Sequence, residues 1–305
     1  MSQQPILNDV PLPEPTTDAA TIPRSPAVWS VELFRVVFDL SRQQSWLESR
    51  QDRLFELIAL CDDADQQHLI CDLLYRFHFV KAADVPERMK TFANYLVDVL
   101  QIDPTQTAIT ALAKSHYADS SQYIAWLTKS ALAGRPGWST VEFLSTLSAA
   151  VSEVKGGKTR IVVVDEFVGS GKTVVSAVGW LKKKLAAEGL EAEVVVAAVV
   201  GMADGVKKAS DAGLDIHCQH VLTKGISDHF TGQDLIRATS NMKALEDKLA
   251  AWSNNRKLSD MSFGYLGSES LYYLEGGNTP NNVFPIFWWK HLKDDIHRET
   301  LLERV

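Results

Sequence analysis

Cysteine is scarce in this sequence: three residues in 305, Cys61, Cys71 and Cys218, with no CxxC pair. An odd, widely spaced set excludes a disulfide framework and a thiolate zinc site, and reads as ordinary thiols of a reducing compartment. The eight histidines include no HExxH. His217 and His220 flank Cys218 on a stretch that reads as a strand, where a separation of three puts them on opposite faces and argues against a metal. Positive charge is also in deficit, 31 Lys and Arg against 38 Asp and Glu, for a net charge of -7. That balance excludes a general nucleic-acid binder, which needs a basic surface. No apolar run approaches the ~20 residues of a membrane helix. Residues 1–26 lack a basic stretch followed by an apolar one, so no signal peptide is read there and a cytoplasmic location is expected. No internal repeat is present.

What is present is enough apolar material, 46% of residues beside 23% charged, to bury a sizeable core. Residues 1–26, rich in Pro, Thr and Asp, are expected to form a disordered arm. Over 27–103 apolar residues recur at helical spacing: Val28, Val31, Phe34, Val37 and Phe38, then Leu54, Leu57 and Ile58. Asp62 and Asp63 are suitable caps for a helix through Leu69, Leu73, Leu74 and Phe77, and Asp84 followed by Pro86 starts another that carries Met89, Phe92, Leu96 and Leu100. The pattern predicts a helical N-terminal subdomain, with Trp29 and Trp46 in its packing.

From 104 to 305 the texture becomes α/β. A short strand is expected over 107–113, a polar loop over 115–121, then a helix. After the break at 134–137, Ser139 or Thr140 caps a helix running to about Val154. The continuous apolar run 161–164 reads as a parallel strand buried on both faces. Residues 173–188 predict a helix with Val174, Val178, Leu181 and Leu185 on one stripe, stopped by Gly189. Strands over 193–200 and 216–222 and helices over 204–211 and 233–252 complete an alternating pattern. It predicts an open, doubly wound parallel sheet with helices on both faces. The last 45 residues are aromatic and irregular.

Chemistry concentrates where the first buried strand hands over to its helix, in IVVVDEFVGSGKT over 161–173. Ligands bind at the C-terminal ends of such strands. Gly169 and Gly171 let the backbone turn tightly and gather its amide N–H groups. Thr173 sits at the start of the next helix, whose positive end attracts phosphate. The GSGKT ending suggests a triphosphatase, but GxxxxGK[ST] needs glycine where Glu166 stands, and a Rossmann GxGxxG fails as well. An ATPase acting through Lys172 is left as a lesser alternative.

The acid pair Asp165-Glu166 selects another reading. Four apolar residues, two acids, two further residues and a Gly/Ser/Thr loop resemble the signature of type I phosphoribosyltransferases, above all the hypoxanthine-guanine branch, whose loop also ends in Gly-Lys-Thr. The resemblance implies that Asp165 and Glu166 hold the ribose hydroxyls of phosphoribosyl pyrophosphate, or of a related ribose phosphate. It implies that Gly169, Ser170, Gly171, Lys172 and Thr173 hold the 5′-phosphate, and that Mg²⁺ accompanies the substrate. An early loop in the family binds pyrophosphate, which makes Ser115, Asp119, Ser120 and Ser121 candidates here, although an N-cap cluster explains the same residues. Over roughly 105–290, the DSS loop and the aromatic C-terminus are similar to phosphoribosyltransferase-like proteins of bacterial conflict and anti-phage gene clusters. That implies a defence role, with a partner encoded by a neighbouring gene. Tyr265, Asn281, Asn282 and Trp288 are candidates for an acceptor pocket, against a packing role for Trp288 and a turn role for the Asn pair. Lys224 is placed near the base pocket or simply in solvent. A non-catalytic ribose-phosphate sensor, or a partner-binding module on the same fold, stands as the alternative to phosphoribosyl transfer.

Overall fold

A computed structural model describes residues 30–113 and 119–304. The arm over 1–26, Trp29 and Ser115 lie outside the described residues. The chain begins with three helices, α1 (Val31–Gln43), α2 (Gln51–Ala59) and α3 (Ala64–Tyr75). Ser30 Oγ accepts from the Leu33 N–H at the start of α1, and Asp63 accepts from the Gln66 N–H at the start of α3. Each satisfies an amide that the first helical turn leaves free. Strand β1 (His78–Val80) follows, then α4 (Val85–Asn94) with Pro86 in its first turn. A π turn at Tyr95–Val99 prolongs α4.

The α/β region runs β2 (Thr107–Ala111), α5 (Ser120–Leu132), β3 (Glu142–Leu144), α6 (Leu147–Lys155), β4 (Arg160–Val168), α7 (Lys172–Ala187), β5 (Glu193–Met202), α8 (Ala203–Asp211), β6 (Asp215–Leu222) and α9 (Gly232–Glu246). A small antiparallel pair, β7 (Trp252–Ser253) and β8 (Arg256–Lys257), the single turn α10 (Leu258–Met261) and strand β9 (Tyr272–Leu274) follow. Five strands form a parallel sheet in the order β3-β2-β4-β5-β6. The chain moves from β2 outward to β3, then returns to the other side of β2 with β4. The sheet therefore has its topological switch point between β2 and β4, the place where such sheets open a crevice for ligands.

Side chains of the central strands alternate between two cores. Val162 and Val164 face α4 and α5 with Ile124, Phe92 and Leu96, while Ile161 and Val163 face α6 and α7 with Val178, Leu181 and Leu185. The N-terminal helices do not close a core of their own. Leu33, Leu54 and Leu74 share one cluster with Met242 of α9 and with Tyr273, Phe284, Trp289 and Leu302 of the C-terminal segment. Strand β1 pairs in parallel with β9, with Phe79 opposite Tyr273, and so fastens one end of the chain to the other.

Two expectations change. The helix read from Ser139 to Val154 splits into a 3₁₀ turn at Trp138–Thr140, edge strand β3, and α6, which starts after Thr146. Val141 and Phe143 turn to the α4–α5 side while Leu144 turns to the other, a period of two that parallel pairing with β2 enforces over helical spacing. The helix read over 233–252 ends at Glu246, because the backbone beyond it turns to pair with the C-terminal segment: Leu249 bridges Leu292 and the Ala250 N–H donates to the His291 carbonyl.

Candidate functional site

The alternation of β4 breaks at its C-terminal end. Val164 faces α5, and so does Phe167, three residues on, whereas Val168 faces α7. Asp165 and Glu166 occupy this break, and Glu166 lacks a ladder partner between the pairs Asp165–Ala198 and Phe167–Val200. Both carboxyls are buried, 8% and 7% exposed. Asp165 Oδ1 accepts the Glu166 N–H at 2.8 Å, and the nearby Phe167 amide also favours its carboxylate. Glu166 Oε1 accepts the Tyr272 hydroxyl at 3.1 Å, and the nearby Ser120 hydroxyl also favours its carboxylate.

Both acids lie at the wall of a cleft of about 1200 Å³, large enough for more than one small ligand. The N-terminus of α5 reaches the same cleft with Asp119 and Ser120. Asp119 also caps α5, its carboxylate accepting from the Ser121 N–H at 2.9 Å while Gln122 Oε1 accepts the Asp119 N–H. Ser121 is fully buried beneath that cap and does not reach the cleft. Three carboxyls thus converge, and among the described residues neither Asp165 nor Glu166 has a cationic partner within ion-pair distance. Burial, then the charges of Asp119 and Glu166, raise Asp165 well above the usual carboxylate range. Burial pushes Glu166 up to about 7, against the Tyr272 and Ser120 hydroxyls that pull it down.

The loop after the acids follows the line of the cleft from Gly169 to Thr173. Gly171 takes φ +73° as the residue before α7, and no side chain caps that helix. The amides of its first turn therefore remain for a ligand, where the helix dipole favours an anion. Lys172 and Thr173 are exposed there, and Lys172 Nζ donates to Tyr265 Oη at 3.3 Å. Close approach explains the glycines. A Cβ on Gly171 would meet the Gly205 carbonyl oxygen, and one on Gly205 would meet the Gly169 carbonyl oxygen. A Cβ on Gly169 would occupy the place of the Asn282 side chain, whose Nδ2 donates to Ser268 Oγ at 2.9 Å.

Tyr265, Asn281 and Asn282 line the cleft with the loop. Trp288 does not. It is 3% exposed, its Nε1 donates to the Val283 carbonyl at 2.9 Å, and it belongs to the N- and C-terminal core. An indole with its one donor satisfied internally packs rather than binds. Lys224 pairs with Asp204 at 2.9 Å in an adjoining pocket of about 160 Å³ behind Gly169 and Ser170.

Sequence reading missed Tyr272, Tyr123, Glu275 and Arg304, which also border this region. Tyr272 stacks on Phe167 with centroids 4.9 Å apart and carries His78 on a ring 5.9 Å away. The only signal for it was the tyrosine pair in an otherwise irregular tail. Among the described residues no cluster of three His, Cys, Asp or Glu is arranged to hold a metal. Two adjacent carboxyls on an open cleft nonetheless fit Mg²⁺, which keeps several waters and takes further ligands from substrate phosphates.

A parallel sheet with a paired acid and a glycine loop at its switch point defines a phosphoribosyltransferase-like protein. Residues 45–304 match the PRTase-CE family, and the chain belongs to that conflict- and defence-associated, phosphoribosyltransferase-like family. The match includes α2, α3 and the C-terminal segment, the parts that share a core, and so exceeds the 105–290 expected from the motifs. No curated protein matches the chain in sequence.

Proposed function

We propose that this protein binds phosphoribosyl pyrophosphate, or a closely related ribose phosphate, together with Mg²⁺, and transfers the phosphoribosyl group to an acceptor. The reading rests above all on one observation: Asp165 and Glu166 share a cleft with the uncapped helix N-terminus that the glycine loop leads into. Asp165 and Glu166 accept hydrogen bonds from the two ribose hydroxyls. Backbone amides from Gly169 to Thr173, with the Lys172 ammonium, receive the 5′-phosphate. Asp119 and Ser120 border the side on which the pyrophosphate leaves.

In the transfer, the bond from the anomeric carbon to the pyrophosphate oxygen breaks, and its electron pair departs with pyrophosphate. The acceptor forms the new bond to that carbon and releases its proton. Charge that develops on the sugar is cationic, and the buried carboxylates stabilise it without reorganising. Bound beside the acids, Mg²⁺ would neutralise the departing pyrophosphate. Asp165 and Glu166 are the residues that would hold it, jointly with substrate oxygens. Ordering by the substrate lowers the proton affinity of both acids, since hydroxyl donors and a cation favour the ionised form. A role in anti-phage defence, with a protein partner from the same gene cluster, accords with the family and is part of the proposal.

The test couples calorimetry with phosphoribosyl pyrophosphate to an assay of pyrophosphate release in the presence of candidate bases, nucleotides and peptides. Binding with release is expected, and Asp165→Asn combined with Glu166→Gln should abolish both. Binding that the double variant removes, with no release under any acceptor, would instead make the protein a sensor. No binding, and no difference in the double variant, would overturn both readings.

A further inference from the structure

Two arginines are buried in the C-terminal segment, and they differ in one respect. Arg298 is satisfied by backbone: Nε donates to the Trp289 carbonyl at 2.9 Å and Nη2 to the Ile286 carbonyl. It takes no part in the cleft. Arg304, 8% exposed, lines the cleft that holds the glycine loop. Its Nη1 donates to the Thr279 carbonyl and its guanidinium lies 4.8 Å from the centre of the Trp288 ring. Its buried Nε has no partner, and among the described residues Nη2 makes no hydrogen bond and no carboxylate pairs with it. The side chain is thus held by its packing on Trp288 and by one carbonyl, and no acid among the described residues answers its charge.

An unpaired buried cation is costly, and stacking on an indole offsets only part of that cost. The electrostatics agree. Burial, followed by the like charge of Arg256, lowers Arg304 to about 10, and no acid raises it. With Nη1 committed to Thr279 and Nε buried, Nη2 is the donor left to make a charge-assisted bond to an oxyanion. Among the described residues that line the cleft, Lys172 and Arg304 are the cations, and Lys172 belongs to the loop that serves the first phosphate.

We propose that Arg304 forms a second anion subsite in this cleft and receives the phosphate or carboxylate of the acceptor. The acceptor is then a negatively charged molecule rather than a neutral base. This step rests on the ribose-phosphate reading above for the word acceptor, but the subsite itself does not.

The experiment titrates inorganic phosphate into protein already saturated with ribose 5-phosphate, with heat and stoichiometry followed by calorimetry. Wild type should take up a second oxyanion. In Arg304→Gln that second affinity should fall by about tenfold or more, with ribose 5-phosphate affinity held within about twofold. No second uptake in wild type, or an unchanged second affinity in Arg304→Gln, overturns the proposal. So does a parallel fall in both affinities in a folded variant, which would assign Arg304 to the loop phosphate. If ribose 5-phosphate fails to bind while phosphate binds through Arg304, the ribose-phosphate reading fails and the subsite stands. Should Arg304→Gln not fold, wild-type crystals soaked in tungstate decide: a heavy-atom peak against the Arg304 guanidinium is expected, and a peak confined to the glycine loop overturns the subsite.

Discussion

The Tyr272 hydroxyl donates to Glu166 Oε1 at 3.1 Å, so strand β9, which zips onto β1, sets the position of an acid on β4. The contact joins the C-terminal segment to the centre of the sheet. It also holds Glu166 partly ionised, since a hydroxyl donor favours the carboxylate. In Tyr272→Phe the ring keeps its stack on Phe167, and only this bond is lost. Glu166 then moves further above the ordinary carboxylate range. Ribose 5-phosphate affinity, measured against pH, should rise with ionisation of Glu166, and the variant should shift the midpoint upward. An unshifted midpoint in a folded variant would remove Tyr272 from the account.

Glu166 also predicts how stability depends on pH without ligand. Its pKa is raised on folding, from 4.5 to about 7, so the native chain binds more protons than the unfolded one in that window. Its contribution is fully present below about pH 4.5 and is lost as pH rises through 7. Integrated over the window, that loss is at most about 3 kcal/mol. Glu166→Gln removes this dependence. Urea unfolding from pH 5 to 8 should therefore show the variant gaining on wild type as pH rises, and a constant difference would contradict the raised pKa.

Gly205 lies on α8, outside the motif, yet a Cβ there would strike the Gly169 carbonyl oxygen. The loop and α8 touch backbone to backbone, with no side chain to move aside. Gly205→Ala is expected to displace the loop, to cost about 1–3 kcal/mol in unfolding free energy, and to weaken phosphate binding more than any exposed substitution on α8. Thermal melts and calorimetry with ribose 5-phosphate check both effects. Lys207→Ala, an exposed neighbour, is the control and should leave both unchanged.

How much of this was legible in sequence follows from the range of the forces involved. The acids, the glycine loop and the start of α7 lie within thirteen consecutive residues, 161–173, where strand burial, turn chemistry and helix start are local, and the reading placed each of them. Asp119 was readable as a cap, because a cap needs only its own next two residues. Tyr272 reaches the cleft through β1–β9 pairing, a contact between distant parts of the chain, and Arg304 through packing on Trp288 in a segment without regular periodicity. Strand β3 was misread for a related reason: three residues gain their conformation from β2 alone, and no pattern so short outweighs the helical one around it.

Lys172 separates binding from folding. Its side chain is exposed, and its single described bond runs to the Tyr265 hydroxyl across the loop. Removing it leaves the Gly171 turn and the α7 amides intact, because both are set by backbone. Lys172→Ala should thus change unfolding free energy by less than about 0.5 kcal/mol. Phosphate affinity should fall by about tenfold at low salt, and the difference from wild type should shrink as salt screens the ammonium. Calorimetry at two ionic strengths measures this directly. A loss of affinity that is equal at both strengths would mean that Lys172 acts by positioning Tyr265 rather than by its charge, and Tyr265→Phe would then reproduce it.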